Sequence, residues 1–132
     1  MVGRFRRRDG WTLIELTIVI SLISILAAIA LVGYRNALTR AREAVLQEDL
    51  FRMREAIDQH YADKGEYPAS LDALVAAGYL RAVPEDPFTR SSDSWQTEAA
   101  EFDAANPFEQ GIYDVRSGSE GTALDGTSHS EW

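Results

Sequence analysis

The fold is decided by residues 10–33, which read GWTLIELTIVISLISILAAIALVG. The 18 residues from 16 to 33 carry no charged side chain and are mostly Leu, Ile, Val and Ala. As an α-helix they would extend roughly 27 Å, at about 1.5 Å per residue, which is close to the thickness of the hydrocarbon layer of a bilayer. This stretch therefore predicts a helix over residues 11–33 that crosses a membrane once.

The apolar run is flanked by basic residues on both sides. Residues 1–10 form a short leader that contains four arginines and ends at Gly10, and such a leader favours a cytoplasmic N-terminus. Arg35, Arg40 and Arg42 follow the run at its other end. Charge bias alone therefore does not decide the orientation of the helix in the membrane.

The chain changes after Gly33 from uniformly apolar to amphipathic. Because neither Gly nor Pro occurs between residues 34 and 64, one helix can continue from the membrane into water. Apolar residues recur at steps of three to five and predict a buried stripe, formed by Leu38, Ala41, Val45, Leu50, Met53, Ile57 and Tyr61. We expect this stripe to pack against a small globular head.

The remainder of the chain predicts short elements joined by turns. Gly65 and Pro68 should end the long helix, and Ser70 should cap a short helix that carries Leu71 and Leu74. Two or three short strands follow, with 95–97 and 112–115 as the best candidates. Residues 98–110 are expected to form a loop.

Composition excludes several kinds of function. Residues 34–132 hold 19 acidic and nine basic side chains, so nucleic acid is not expected as a partner. The chain has no Cys, which excludes a disulfide or a thiolate metal site. His60 and His129 have no partner at ligand spacing, and the adjacent Glu85 and Asp86 are expected on a loop surface. We therefore predict that the chain is not an enzyme.

Glu15 stands at the start of the apolar run. A carboxylate inside a bilayer costs about 2.5–3.5 kcal/mol on insertion scales, so a simple anchor would not select one. Either Glu15 remains hydrated at the headgroup boundary, or a partner of opposite charge is buried with it.

The strip Gly10-Trp11-Thr12-Leu13-Ile14-Glu15 resembles the cleavage motif of type IV pilins and of type II secretion pseudopilins. In that family a prepilin peptidase cuts after the glycine and methylates the new terminal amine. The resemblance implies processing between Gly10 and Trp11, and an ion pair in the filament between Glu15 and the Trp11 amine of a neighbouring subunit. Trp11 replaces the usual Phe, while Ser24 and Val32 stand where many relatives have glycine and proline.

The order of features along the chain looks like that of the major pseudopilin of type II secretion systems. The resemblance implies an α+β, pilin-like fold, in which a long N-terminal helix packs on a head with a short helix and a small antiparallel sheet. It implies a cleaved leader (1–10), a transmembrane and filament-core helix (11–33) and a periplasmic head (34–132) that includes the amphipathic half of the helix.

The same resemblance implies a function and partners. The subunit would sit in the inner membrane with its head in the periplasm and then polymerise into a pseudopilus that supports protein export across the outer membrane. The implied partners are membrane lipid, other copies of the chain, the prepilin peptidase, minor pseudopilins and an inner-membrane assembly platform.

The C-terminal loop is a candidate metal site. Major pseudopilins commonly bind calcium there, and Gly118-Ser119-Glu120-Gly121 with Leu124-Asp125-Gly126 resembles that loop. The resemblance implies that Glu120 and Asp125 are the carboxylate ligands. An ordinary solvated loop is the alternative.

Two other kinds of protein share parts of this pattern. A secreted protein could have a signal peptide cut after Ala30, but Glu15 and the helical pattern that continues through Ala30 oppose this interpretation. A type IV pilin, which serves adhesion, motility or DNA uptake, would share the N-terminal motif. Adhesive pilins often close a C-terminal loop with a disulfide, and the absence of Cys favours the pseudopilin.

Overall fold

A computed structural model describes residues 9–101, 105 and 110–132. Helix α1 (Asp9–Lys64) is followed by α2 (Leu71–Ala76), strands β1 (Gln96–Ala99) and β2 (Ile112–Arg116), and a single-turn 3-10 helix at His129–Glu131. The α+β class with a pilin-like order of elements is confirmed. The chain forms two compact units, Met1–Leu38 and Thr39–Trp132, which are described separately.

The first unit contains the N-terminal part of α1. Helix α1 begins at Asp9, two residues before the predicted start. Its large apolar side chains from Leu13 to Val32 are 44–66% exposed, and it is long and apolar enough to cross a membrane. The polar side chains of Thr17, Ser21 and Ser24 each donate a hydrogen bond to the carbonyl four residues earlier. These hydroxyls therefore need no water, which suits a helix in hydrocarbon.

The second unit is built on the C-terminal part of α1. Leu46, Leu50, Met53 and Ile57 are at most 2% exposed, and their spacing of four, three and four residues places them on one face. The prediction for Leu50, Met53 and Ile57 is confirmed. Val45 was wrongly predicted in place of Leu46: it is half exposed, because neighbouring positions on a helix point about 100° apart. The ends of the predicted stripe are exposed as well, namely Leu38, Ala41 and Tyr61.

The end of α1 and the start of α2 follow local rules. Gly65 adopts a positive φ of 71° and its N–H donates to the carbonyl of Tyr61, which closes the last turn. The hydroxyl of Ser70 accepts a hydrogen bond from the N–H of Ala73 at 3.1 Å and caps α2. Leu74 of α2 is fully buried against the α1 face. Both helix ends are therefore as predicted.

The two strands form an antiparallel pair with a bulge between Glu98 and Ala99. Strand β1 begins one residue later than predicted, because Trp95 is buried in the core and its indole N–H donates to the carbonyl of Pro84. Glu98 and Ala99 were predicted as loop and belong to β1. Cross-strand contacts explain this, since Glu98 pairs with Arg116 at 2.8 Å and accepts from the hydroxyl of Tyr113. Residues 102–104 and 106–109 of the predicted loop lie outside the described residues.

Candidate functional site

Glu15 is exposed on α1, beside the apolar side chains of Ile14, Ile18 and Val19. Within the described part of the chain, its carboxylate has no hydrogen-bond or ion-pair partner. The next 18 residues carry no charge. A charge next to hydrocarbon without a partner is costly, so the single subunit leaves Glu15 uncompensated.

The backbone of Gly10 and Trp11 lies in the first turn of α1, which begins at Asp9. Their side chains lie outside the described residues. Because the backbone is helical over residues 11–15, the main-chain nitrogen of Trp11 lies one turn before Glu15. A cut between Gly10 and Trp11 would thus create a positive terminus one turn from the carboxylate.

The predicted metal ligands Glu120 and Asp125 are both exposed in the loop that precedes the 3-10 helix. The Oδ1 atom of Asp125 accepts hydrogen bonds from the hydroxyl of Thr127 at 2.6 Å and from its N–H at 2.9 Å. These two bonds, the hydroxyl first, lower the pKa of Asp125, so the carboxylate is charged at neutral pH. Among the residues that the structure describes, no group of three or more Asp, Glu or His side chains is placed to hold a metal ion.

Asp86 is a residue that the sequence placed wrongly. It was expected on a loop surface, yet it is fully buried. Its Oδ1 accepts from the N–H of Phe88 at 2.8 Å and of Thr89 at 3.3 Å, and its Oδ2 accepts from the hydroxyl of Ser117 at 2.5 Å. The Asp-Pro-Phe triplet is typical of a turn in which Asp binds the N–H two residues ahead, and this signal was available in the sequence. The contact between Asp86 and Ser117 could not be predicted from the sequence, because 31 positions separate the two residues.

Arg54 is a second residue that the sequence did not single out. Its Nε pairs with Asp114 Oδ1 at 2.7 Å, and its second guanidinium nitrogen donates to the main-chain oxygens of Val115 at 2.9 Å and Trp132 at 2.5 Å. It thereby joins α1 to β2 and to the last residue. An arginine at this point in an amphipathic helix carries no sequence signal for such partners.

Residues 5–31 match the family model described as the prokaryotic N-terminal methylation motif. The chain carries this methylation motif over 27 of its 132 residues. It is also homologous to the type II secretion system core protein G of Escherichia coli K12, with 26% identity over 127 residues, which cover 84% of this chain and 81% of the relative. The core protein G of Aeromonas hydrophila is 28% identical over 99 residues, covering 63% of this chain and 69% of the relative.

Fimbrial proteins are similar to this chain over a shorter stretch. The fimbrial protein EcpC of Eikenella corrodens is 43% identical over 81 residues, which cover 58% of this chain. The match spans about half, 53%, of the length of that fimbrial protein. No solved structure matches the chain significantly.

Proposed function

We propose that this chain is a structural subunit of a type II secretion pseudopilus rather than an enzyme. The observation that carries the proposal is the extent of the match to core protein G, which runs through most of the head as well as the N-terminal helix. Polymerisation through the N-terminal helix would bury the apolar side chains that are exposed in the single subunit. In this role the filament supports protein export across the outer membrane.

A type IV pilin is the second candidate. The higher identity to a fimbrial protein over the shorter match favours it, but that match covers only 58% of this chain, against 84% for core protein G of Escherichia coli K12. Absence of Cys also removes the disulfide that closes the C-terminal loop in many adhesive pilins. The pseudopilin remains the better supported role.

Processing and location follow from this proposal. A prepilin peptidase removes residues 1–10 and methylates the Trp11 amine, while the helix holds the subunit in the inner membrane with the head in the periplasm. Minor pseudopilins and an inner-membrane platform would assist assembly. Mass spectrometry of the mature chain tests the processing step: a methylated Trp11 terminus supports it, whereas a terminus at Leu31 would identify a cleaved signal peptide.

In the filament, Glu15 fixes the axial alignment of neighbouring subunits and is not the source of the free energy of assembly. Its carboxylate pairs with the Trp11 amine of a neighbouring subunit, and both charges are removed from water by the surrounding apolar helices. Breaking a buried pair by removing one partner costs about 3–5 kcal/mol, because the other charge is left alone. The exposed carboxylate beside Ile14, Ile18 and Val19 supports this role.

The assembly experiment replaces Glu15 by Ala or by Gln and measures membrane insertion and fibre formation separately. Insertion should be unchanged or improved, and fibre yield should fall at least tenfold in both variants, since about 1.4 kcal/mol changes an equilibrium tenfold. Ser24→Ala is the matched control in the same helix and should form fibres normally. Normal fibres from Glu15→Gln would refute the charge pair.

A calcium ion in the C-terminal loop is a further part of the proposal, carried over from the resemblance to major pseudopilins. Glu120 and the ionised Asp125 would hold it, and main-chain carbonyls and water would complete the oxygen shell that calcium requires. When bound, the ion would rigidify the loop. Calcium should raise the Tm of the full chain by several degrees relative to EGTA, and the difference should vanish in Asp125→Asn. An equal Tm with and without EGTA would remove calcium from the proposal.

A further inference from the structure

The C-terminal segment, residues 117–132, is attached to α1 through Glu43 as well as through Arg54. The Oε1 atom of Glu43 accepts a hydrogen bond from the N–H of Leu124 at 2.9 Å. The same oxygen lies 3.7 Å from Nε2 of His129. One carboxylate of α1 thus faces two residues of the segment, and all of these residues belong to the second unit.

His129 is buried in an unusual way. Its side chain is 2% exposed, and within the described residues its Nε2 has no hydrogen-bond partner. The ring packs on Phe88, with ring centroids 4.0 Å apart, and edge-on against Trp132 at 5.2 Å. Most buried polar atoms in folded proteins have a hydrogen-bond partner, so the neutral ring leaves this part of the fold incompletely satisfied.

Ser119 sets the direction of the ring. Its hydroxyl oxygen lies 3.3 Å from Nδ1 of His129 and accepts from the N–H of Gly121 at 3.2 Å. A side chain at residue 121 would crowd the ring, because a Cβ there would lie 3.0 Å from Nδ1. In the doubly protonated ring, Nδ1 donates to Ser119 and Nε2 donates towards Glu43.

We propose that Glu43 and His129 form a proton-controlled latch between α1 and the C-terminal segment. When His129 takes a proton from solvent, the imidazolium pairs with the Glu43 carboxylate, whose side chain is only 13% exposed. A charge pair at this distance and burial attracts strongly, and a closure of less than about 1 Å brings the atoms within hydrogen-bond distance. When the proton leaves, the ion pair is lost and the segment is held more weakly.

The sign of the pH dependence follows from the pair. The latch stabilises the segment at pH values where His129 is protonated and Glu43 is ionised, because only then do the two side chains carry opposite charges. Its contribution disappears as the pH rises and the ring loses its proton. Histidine is the side chain that ordinarily changes charge between about pH 5 and 8, so the latch is tested at pH values on either side of that range.

Other acidic residues belong to the segment itself or to the turn whose Phe88 packs on the ring. Asp125 interacts electrostatically with His129 from the loop, and its carboxylate is bonded to Thr127. The carboxylate nearest in sequence to Phe88 is Asp86, which is bonded to Ser117. The remaining acidic residues of the segment are Glu120 and Glu131. Among these groups, Glu43 is the one whose carboxylate oxygen faces Nε2 of the ring.

The test is hydrogen exchange of the full chain in detergent micelles with EGTA, at pH 5.5 and pH 8.0, with exchange rates corrected for their intrinsic pH dependence. Amide protection in residues 119–129 should be about tenfold higher at pH 5.5, because the segment then gains a hydrogen bond between two charged groups. In Glu43→Gln and in His129→Gln this difference should vanish. Gln at residue 43 still offers an oxygen to Leu124, so it removes the charge while keeping that bond.

Two control variants separate the latch from general effects of pH. His60→Gln removes the other histidine, whose Nδ1 contacts the carbonyl of Glu66, and Glu48→Gln removes an exposed carboxylate of α1 paired with Arg52. Both should keep the tenfold difference. Persistence of the difference in Glu43→Gln, or protection in the wild-type chain that is equal at both pH values or higher at pH 8.0, would overturn the proposal. The test is independent of filament assembly and of calcium.

Discussion

Replacing Asp86 by Ala should destabilise the head more than any change at an exposed acidic residue. The carboxylate is fully buried and accepts three hydrogen bonds, from Phe88, Thr89 and Ser117. Each hydrogen bond to a charged group contributes about 1.5–3 kcal/mol, and the one from Thr89 is long at 3.3 Å. Removing a buried charge also recovers part of its desolvation penalty, so we expect a net loss of about 2–4 kcal/mol.

The assay is thermal unfolding of the full chain in detergent, followed by the near-ultraviolet signal of the buried Trp95. For a unit of this size about 1 kcal/mol shifts the Tm by about 4–8 °C, so Asp86→Ala should lower it by roughly 8–32 °C. Asp86→Asn is the matched control, because its oxygen still accepts from Phe88 and Thr89 and its amide donates to Ser117. It should lose less than half as much. A loss below about 0.5 kcal/mol in Asp86→Ala, typical of a surface site, would refute the role assigned to this carboxylate.

Three further predictions concern Ser70, Arg54 and Gly118 of the second unit, and Gly33 of the first unit serves as a control. Ser70→Ala removes the cap of α2 and should cost about 1 kcal/mol in denaturant unfolding, with an unchanged m-value. Arg54→Gln removes bonds to a carboxylate and two main-chain oxygens; because the guanidinium side chain is 38% exposed, we discount the ion pair and expect a loss of about 1–2 kcal/mol in the same measurement. Gly118→Ala would drive a Cβ into the carbonyl oxygen of Ser94 and should lower the free energy of unfolding by at least about 2 kcal/mol. In the control Gly33→Ala, the added Cβ meets nothing within 4 Å, so the Tm should not fall.

The long helix could be read from the sequence because its causes are local. The uncharged run, the absence of Gly and Pro over residues 34–64, and the terminal Gly65 determine where a helix can form and where it ends. The cap at Ser70 is equally local, since the hydroxyl bonds an N–H three residues ahead. The N-terminal methylation motif is also a local signal, because it consists of adjacent residues that match one family model.

The packing of the head could not be read in the same way. Val45 and Leu46 are both apolar neighbours on α1, and only the position of α2, Trp95 and β2 decides that Leu46 is buried. The extension of β1 to Glu98 and Ala99 depends on partners in β2, which periodicity in a four-residue strand does not reveal. The metal loop is predicted from the resemblance alone, and the contact between Ser119 and His129 in that region has no sequence signal.

The sequence by itself determined the membrane-length helix, its continuation as an amphipathic helix, and the acidic Glu15 at the start of the apolar run, because hydrophobicity, helix propensity and formal charge belong to residues one by one. Only the tertiary structure decided that Asp86 and His129 are buried and that Arg54 and Glu43 hold the C-terminal segment. Such contacts join residues 31–81 positions apart. The hydrogen bonds and charge pairs of a buried carboxylate or imidazole depend on the groups that folding brings around it. The packing of the whole unit decides which groups these are.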